Sequence, residues 1–291
     1  MDRNGTSDLK TAIDGAANAR IAVFITFHYR PDHLYYLCRV IAGLAAYCVR
    51  RVDVTIVTDA GPEEELASIA RLCKLYLSSS RFEIIRTERA HPPQMLTWRH
   101  KPLLVEAMRK SMTAYSHFIY LEDDIYLTFR NFIYFLQYRA ALATRRLIPG
   151  YLRVEFKHSD RLLYSSDAVT STRITDANIV EVDGCTFVSH NYPYCALFVM
   201  DREMIEEYVS SRSFDFEKSK EVSDWTTSPR AAMGLCWDNP PAGFIHRYVL
   251  PIDPVTLVPL PFSFVEHLPN NYANSETVEY LGKLRVDQVI V

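Results

Sequence analysis

The stretch that most constrains the chain is Tyr115 to Thr128, YSHFIYLEDDIYLT. Its first part, His117-Phe118-Ile119-Tyr120-Leu121, is a short run of aromatic and β-branched residues, the composition of a strand buried on both faces of a parallel sheet. Glu122, Asp123 and Asp124 follow without a spacer. Three adjoining carboxylates repel one another, and beside an apolar strand they stay ionised only with positive charge among them. A divalent cation, Mn²⁺ or Mg²⁺, meets that need through hard oxygen ligands. Open α/β sheets bind ligands beyond the carboxyl ends of their strands, which is where this triplet falls. Asp124 is therefore the expected metal ligand. At strand periodicity Glu122 points to the same side, towards a ribose or a metal-bound water. A solvated acidic turn is the competing reading of the triplet.

The preceding residues set this strand in an alternating pattern. Ile21 to Phe27 reads as a hydrophobic strand after a poorly structured lead-in of 20 residues. Pro31 to Tyr47 has apolar residues at helical spacing, with Pro31 suited to a first turn. Val52 to Val57 is a second strand, Glu63 to Leu77 an amphipathic helix, and Phe82 to Ile85 a third strand. A loop, Arg89 to Pro93, leads into a helix from Trp98 to Met112. Strand and helix in alternation predict an α/β fold with a mostly parallel sheet and right-handed crossovers. The C-terminal third, rich in proline and aromatics, predicts an irregular region.

Composition removes several classes. The 291 residues are 48% hydrophobic, enough for a substantial core, and the net charge of −3 lacks the basic field that nucleic acid requires. Six cysteines without a CxxC pair fit reduced thiols and a cytoplasmic protein rather than a disulfide frame or a zinc site. The longest apolar run, Val40 to Val49, is too short to span a bilayer, and the polar N-terminus does not read as a signal peptide. A peripheral visit to a membrane, to meet a lipid-linked acceptor, stays open. None of the nine glycines forms GxG or a GxxxxGK[ST] loop, and GxSxG and HExxH are absent. Phosphates would then be neutralised by acidic residues with a metal bridging them.

The acid-ended strand after two or three β-α units resembles the DxD-type motif of GT-A glycosyltransferases, and its EDD form is similar to that of the N-acetylglucosaminyltransferase I family. Further matches follow in order over residues 20 to 250. Arg99-His100-Lys101 is similar to a basic cluster of that family, and Phe132 to Phe135 resembles its aromatic helix. Asn191-Tyr192-Pro193, the apolar Cys195 to Met200 and a helix from Asp201 to Tyr208 resemble the segment flooring the acceptor site. Ser223-Asp224-Trp225 resembles the DDW segment that carries the catalytic base. There, Ser223 stands where the family has a second aspartate, and Leu147 to Asp183 has no counterpart. The resemblance implies a single GT-A-like domain, with residues 20–128 binding a nucleotide-sugar and 129–291 forming the acceptor side and a lid. It also implies inverting transfer of a sugar from a UDP-sugar or related donor to a glycan or other hydroxyl acceptor.

Individual residues carry paired expectations. His28-Tyr29-Arg30 and Asp59 end the first two strands, where a base and ribose would rest, or else form a packed aromatic loop and a helix cap. Arg99 and Lys101, at a helix start, would offset diphosphate charge, or else form a solvated first turn. Asp224 is the expected base, with Asp238 in Trp237-Asp238-Asn239-Pro240-Pro241 as its rival. His267, in FSFVEHLPNNYA, is a lone histidine that would either pack or complete a metal shell from a lid closing over the donor. A sugar-phosphate nucleotidyltransferase, a glycosidase and a non-catalytic nucleotide-sugar-binding module are the alternatives.

Overall fold

The computed structural model describes residues 3–88, 92–110 and 114–291. A helix, α1 (Arg3–Asn18), opens the chain where the sequence predicts a loose lead-in. Ala12 and Ala16, one turn apart and both buried, give it a small-residue stripe that the polar composition hides. Then come β1 (Arg20–Phe27), α2 (Leu34–Ala45), β2 (Arg51–Thr58), α3 (Glu63–Tyr76), β3 (Phe82–Arg86), α4 (His100–Arg109) and β4 (His117–Glu122). The short β5 (Ile125–Tyr126), α5 (Phe129–Ala143), β6 (Ile148–Pro149), β7 (Leu152–Phe156) and β8 (Leu163–Ser165) follow. Next are β9 (Ile179–Val182), β10 (Cys185–Val188), β11 (Leu197–Asp201), α6 (Arg202–Val209) and α7 (Thr227–Ala232). The chain closes with β12 (Tyr248–Ile252), β13 (Phe264–His267) and β14 (Leu284–Arg285). Of the predicted loop Arg89 to Pro93, residues 89–91 lie outside the described residues, as does the predicted helix end at Met112.

The chain divides into two compact units. The first, Ala16–Phe129 with Ala196–Leu235, is built on a sheet of order β11-β4-β1-β2-β3. β1 pairs in parallel with β2 and β4, and β2 with β3, while β11 runs antiparallel to β4. The molecule is therefore α/β with a mostly parallel main sheet flanked by helices: α4 packs on β1, α3 on β3, and α6 on β4 and β11. The aromatic and β-branched residues of β1 and β4 are buried throughout, as strands covered on both faces require. Residues 196–235 belong with this unit rather than with the rest of the C-terminal half, because the apolar run Leu197–Asp201 finds its hydrogen bonds on the open edge of β4.

The second unit gathers Met1–Gly15, Arg130–Cys195 and Cys236–Val291. Its strands form a sheet of order β6-β12-β10-β9 and a second set in which β14, β8, β7 and β13 lie side by side. Leu152, Val188, Leu250, Val286 and Ile290 make its core. The 264–267 stretch, predicted as a lid loop, is strand β13, paired in parallel with β7. Alternating buried and exposed side chains over Phe264–His267 give it the period of a half-covered strand.

Two imidazoles in this unit are fully enclosed. His190 and His246 are each 1% exposed, with ring centroids 6.0 Å apart, and Nε2 of His246 lies 2.5 Å from the His190 carbonyl. Burial away from water pushes their pKa values down to about 3 and about 4. Both are neutral in the folded protein but bind protons below about 6.5 once unfolded, so the stability they confer is intact above that pH and falls as pH drops towards 4. Between pH 6.5 and 5 the loss is about 1.6 kcal/mol per imidazole. Urea unfolding at the two pH values measures it, and His246→Gln should flatten the slope. An unchanged slope in that variant would contradict the assignment.

Candidate functional site

The parallel strands of the first unit end in register. Ile85, Val57, Thr26 and Glu122 form one row across β3, β2, β1 and β4. The residues just beyond, Thr87, Asp59, His28 and Asp123, therefore share the carboxyl edge of the sheet. The connections from β1 lead out on one side through β2 and β3 and return on the other to β4, so the strand order reverses between β1 and β4. Such a reversal opens a crevice between adjacent loops, the place where open α/β sheets take ligands.

Two clefts lie along this edge. One of about 220 Å³ is lined by Thr26, His28, Thr97, Glu122, Asp123 and Ser228. The other, of about 540 Å³, is lined by residues that include Tyr29, Asp59, Gly61, Arg86 and Thr87. Between them Asp59 ties the loop after β1 in place: its Oδ1 accepts from the Tyr29 amide at 2.9 Å and its Oδ2 lies 2.6 Å from Nδ1 of His28. The Asp59 carboxylate is 4% exposed whereas His28 is 43% exposed, so the acid is the buried anchor and the imidazole is the face offered to the cleft.

Strand β4 stops at Glu122, and Asp123 and Asp124 form a turn before β5. Strand alternation does not carry on to Asp124, so strand periodicity does not set the side on which Asp124 lies relative to Glu122. Asp123 turns inward instead, with its Oδ2 3.1 Å from Nδ1 of His33 in the turn that precedes α2. Burial pushes the Asp123 carboxyl up to about 7, with the neighbouring Asp124 charge adding to the rise and His33 opposing it. The same contact raises the His33 pKa. This corner of the sheet therefore resists a second negative charge and would hold a cation well. His33 is the partner that pattern reading missed, since a histidine at a helix start gives no sign of a contact 90 residues away.

Other expected residues are placed elsewhere. Arg30 pairs with Asp32 at 2.6 Å on the surface. Of the basic cluster, only Arg99 faces solvent, at the N-cap of α4. His100 is buried against Tyr120, with its Nδ1 2.6 Å from the Thr97 carbonyl, and burial lowers its pKa to about 3, so it carries no charge. Lys101 is 4% exposed and donates to the Ser213 and Phe214 carbonyls, so it is not a diphosphate ligand. Three aromatic rings and two carbonyls stabilise its ammonium inside the protein. His267, in the second unit, is 4% exposed, bonded through Nδ1 to Glu155 and stacked on Tyr272 at 5.1 Å. It is a packed strand residue rather than part of a mobile lid.

Asp224 is exposed, in the loop before α7. Thr226 is the N-cap of α7, so Asp224 does not cap it. Ser228, four residues on, lines the cleft that holds Glu122 and Asp123. Asp238, in the second unit, is 4% exposed, and one of its carboxylate oxygens is buried without a hydrogen bond.

Among the described residues no group of three or more His, Cys, Asp and Glu side chains forms a metal cage. Mg²⁺ and Mn²⁺ seldom need one, because one or two carboxylates and the oxygens of a bound phosphate complete their shells. The turn of Glu122, Asp123 and Asp124, all hard oxygen donors at an electronegative corner, fits such an ion. No helix among the described residues is long and apolar enough to cross a membrane. A scan against protein-family models finds no match, and a search of curated proteins finds none either.

Proposed function

We propose that the protein is a metal-dependent glycosyltransferase of GT-A type, moving a sugar from a nucleoside-diphosphate donor, a UDP-sugar by resemblance, to a hydroxyl acceptor. The observation that carries this reading is the carboxyl edge where the strand order reverses, with an acidic turn at the end of β4 and the His28–Asp59 pair across from it. The larger cleft, at the ends of β2 and β3, has the size of a small-ligand pocket and takes the nucleoside, with Tyr29 and Asp59 on its wall. Asp124 would hold Mn²⁺ or Mg²⁺ with Glu122 and Asp123 beside it, and the ion's chemistry would be to neutralise charge on the departing diphosphate.

The remaining work falls to the chain itself. His28 faces the smaller cleft and can donate a hydrogen bond to a phosphate or sugar oxygen. Asp224, exposed in the loop before α7, takes the acceptor's proton, and Trp225 beside it offers an apolar face for a sugar ring. One base on the acceptor side suffices for the inversion that the family resemblance implies.

The test is calorimetric titration of UDP with and without Mn²⁺. Asp124→Asn removes one charged oxygen ligand and should weaken the Mn²⁺-dependent affinity by about tenfold or more, or roughly 1.4 kcal/mol, without lowering the melting temperature. Equal Mn²⁺-dependent affinity in wild type and variant would sink the metal assignment. A melting temperature raised only by NAD or ATP, and by no nucleotide sugar, would sink the whole reading.

A further inference from the structure

The 213–230 segment of the first unit is held by cations buried among aromatic rings. Nζ of Lys101 lies 3.7 Å from the ring centre of Trp98 and 5.2 Å from those of Tyr208 and Phe214. It donates to the carbonyls of Ser213 at 2.7 Å and Phe214 at 3.0 Å. Trp98 in turn donates through Nε1 to the Thr227 carbonyl at 2.9 Å and meets Phe216 edge-on at 5.0 Å. Arg230, 7% exposed, donates to Ser219 Oγ at 2.7 Å and lies 5.3 Å from the ring centre of Phe216. Asp224 sits between the two anchored points, Ser219 and Thr227. Between them the Val222 amide donates to the Ser219 carbonyl at 3.4 Å and the Trp225 amide to Ser223 Oγ at 3.2 Å.

We propose that Lys101 is a positioning residue whose caged ammonium fixes the 213–227 segment against Trp98 and so presents Asp224 beside the cleft that Ser228 shares with Glu122 and Asp123. The part assigned to Asp224 rests on the glycosyltransferase reading; the clasp itself does not. A side chain that merely filled space could be replaced by any group of equal volume. A caged ammonium cannot, because two carbonyls and three ring faces are arranged for positive charge.

Lys101→Ala removes a propylammonium's worth of side chain, so the probe is n-propylammonium, with n-propanol as the neutral match. In the variant the amides of 213–227 should exchange hydrogen about tenfold faster or more, while those of β1 and β2 keep wild-type rates. Millimolar n-propylammonium should restore slow exchange and n-propanol should not. Transfer should follow the same pattern: kcat down by about tenfold to 10²-fold, donor Kd unchanged, and recovery with the amine. Wild-type exchange rates in the variant, or equal recovery with the alcohol, would overturn the clasp. If Lys101→Ala does not fold, Phe214→Leu removes one wall while keeping the ammonium, and wild-type exchange there would overturn it equally. Wild-type protein without any transferase activity would sink the role of Asp224, and the exchange arm alone would then uphold or overturn the clasp.

Discussion

Asp224→Asn is expected to lower sugar transfer by about 10²–10⁴-fold while donor affinity and melting temperature stay at wild-type values. A sugar hydroxyl is a weak nucleophile at neutral pH, so a carboxylate that accepts its proton as the bond forms carries much of the rate. The structure removes the main structural explanation for this acid. Thr226, not Asp224, holds the N-cap position of α7, and the Asp224 side chain is exposed. Losing its charge should therefore leave folding untouched. Asp238 makes the contrast. Its buried carboxylate predicts that Asp238→Asn acts on stability first. Turnover that survives in Asp224→Asn, or a loss confined to Asp238→Asn, would move the base to Asp238.

The largest effect on stability is expected from Asp167→Asn. Arg153 and Asp167, 6% and 10% exposed at the side chain, pair through two parallel bonds of 2.8 and 2.6 Å, and the guanidinium lies near the rings of Tyr194 and Tyr272. Removing the carboxylate strands a buried charge, which costs about 3–5 kcal/mol. The double variant Arg153→Met with Asp167→Leu removes both charges and should lose much less, because no ion is left to desolvate. Urea unfolding of the three proteins gives the comparison. A single variant within about 1 kcal/mol of wild type would show that the pair is solvated in solution.

The sequence was most legible where structure is local. The runs that form β1, β2 and β4 and the amphipathic α3 read correctly to within a residue or two, because apolar stretches of that length and period have few other uses. The bond between the loop after β1 and Asp59 was half visible, since both fall at strand ends. The partners of single charged residues were not visible. Lys101 reads as a free cation until the carbonyls of Ser213 and Phe214 come round to it, 112 and 113 residues later. His33 and Asp123 meet over a separation of 90, and His267 and Glu155 over 112. Leu147 to Asp183, which has no family counterpart, contributes β6 to β9; β7–β8 and β9–β10 are local hairpins, but β6, β7 and β8 also need β12, β13 and β14, which lie far along the chain.

The late arrival of β11 has a consequence for how the chain is made. β4 is apolar and buried from Phe118 to Leu121, and its outer edge stays open until Leu197–Asp201 pairs with it. At roughly 5–20 residues per second, the 76 residues between Leu121 and its partner Leu197 take about 4–15 s to leave the ribosome. For that interval a nascent chain that has already assembled β1 to β4 exposes a strand of Phe118, Ile119, Tyr120 and Leu121 to any other unpaired edge nearby. Slow or paused translation across residues 130–195 of the second unit would thus favour aggregation, and chaperones that shield apolar strands would be needed most while that segment is being synthesised.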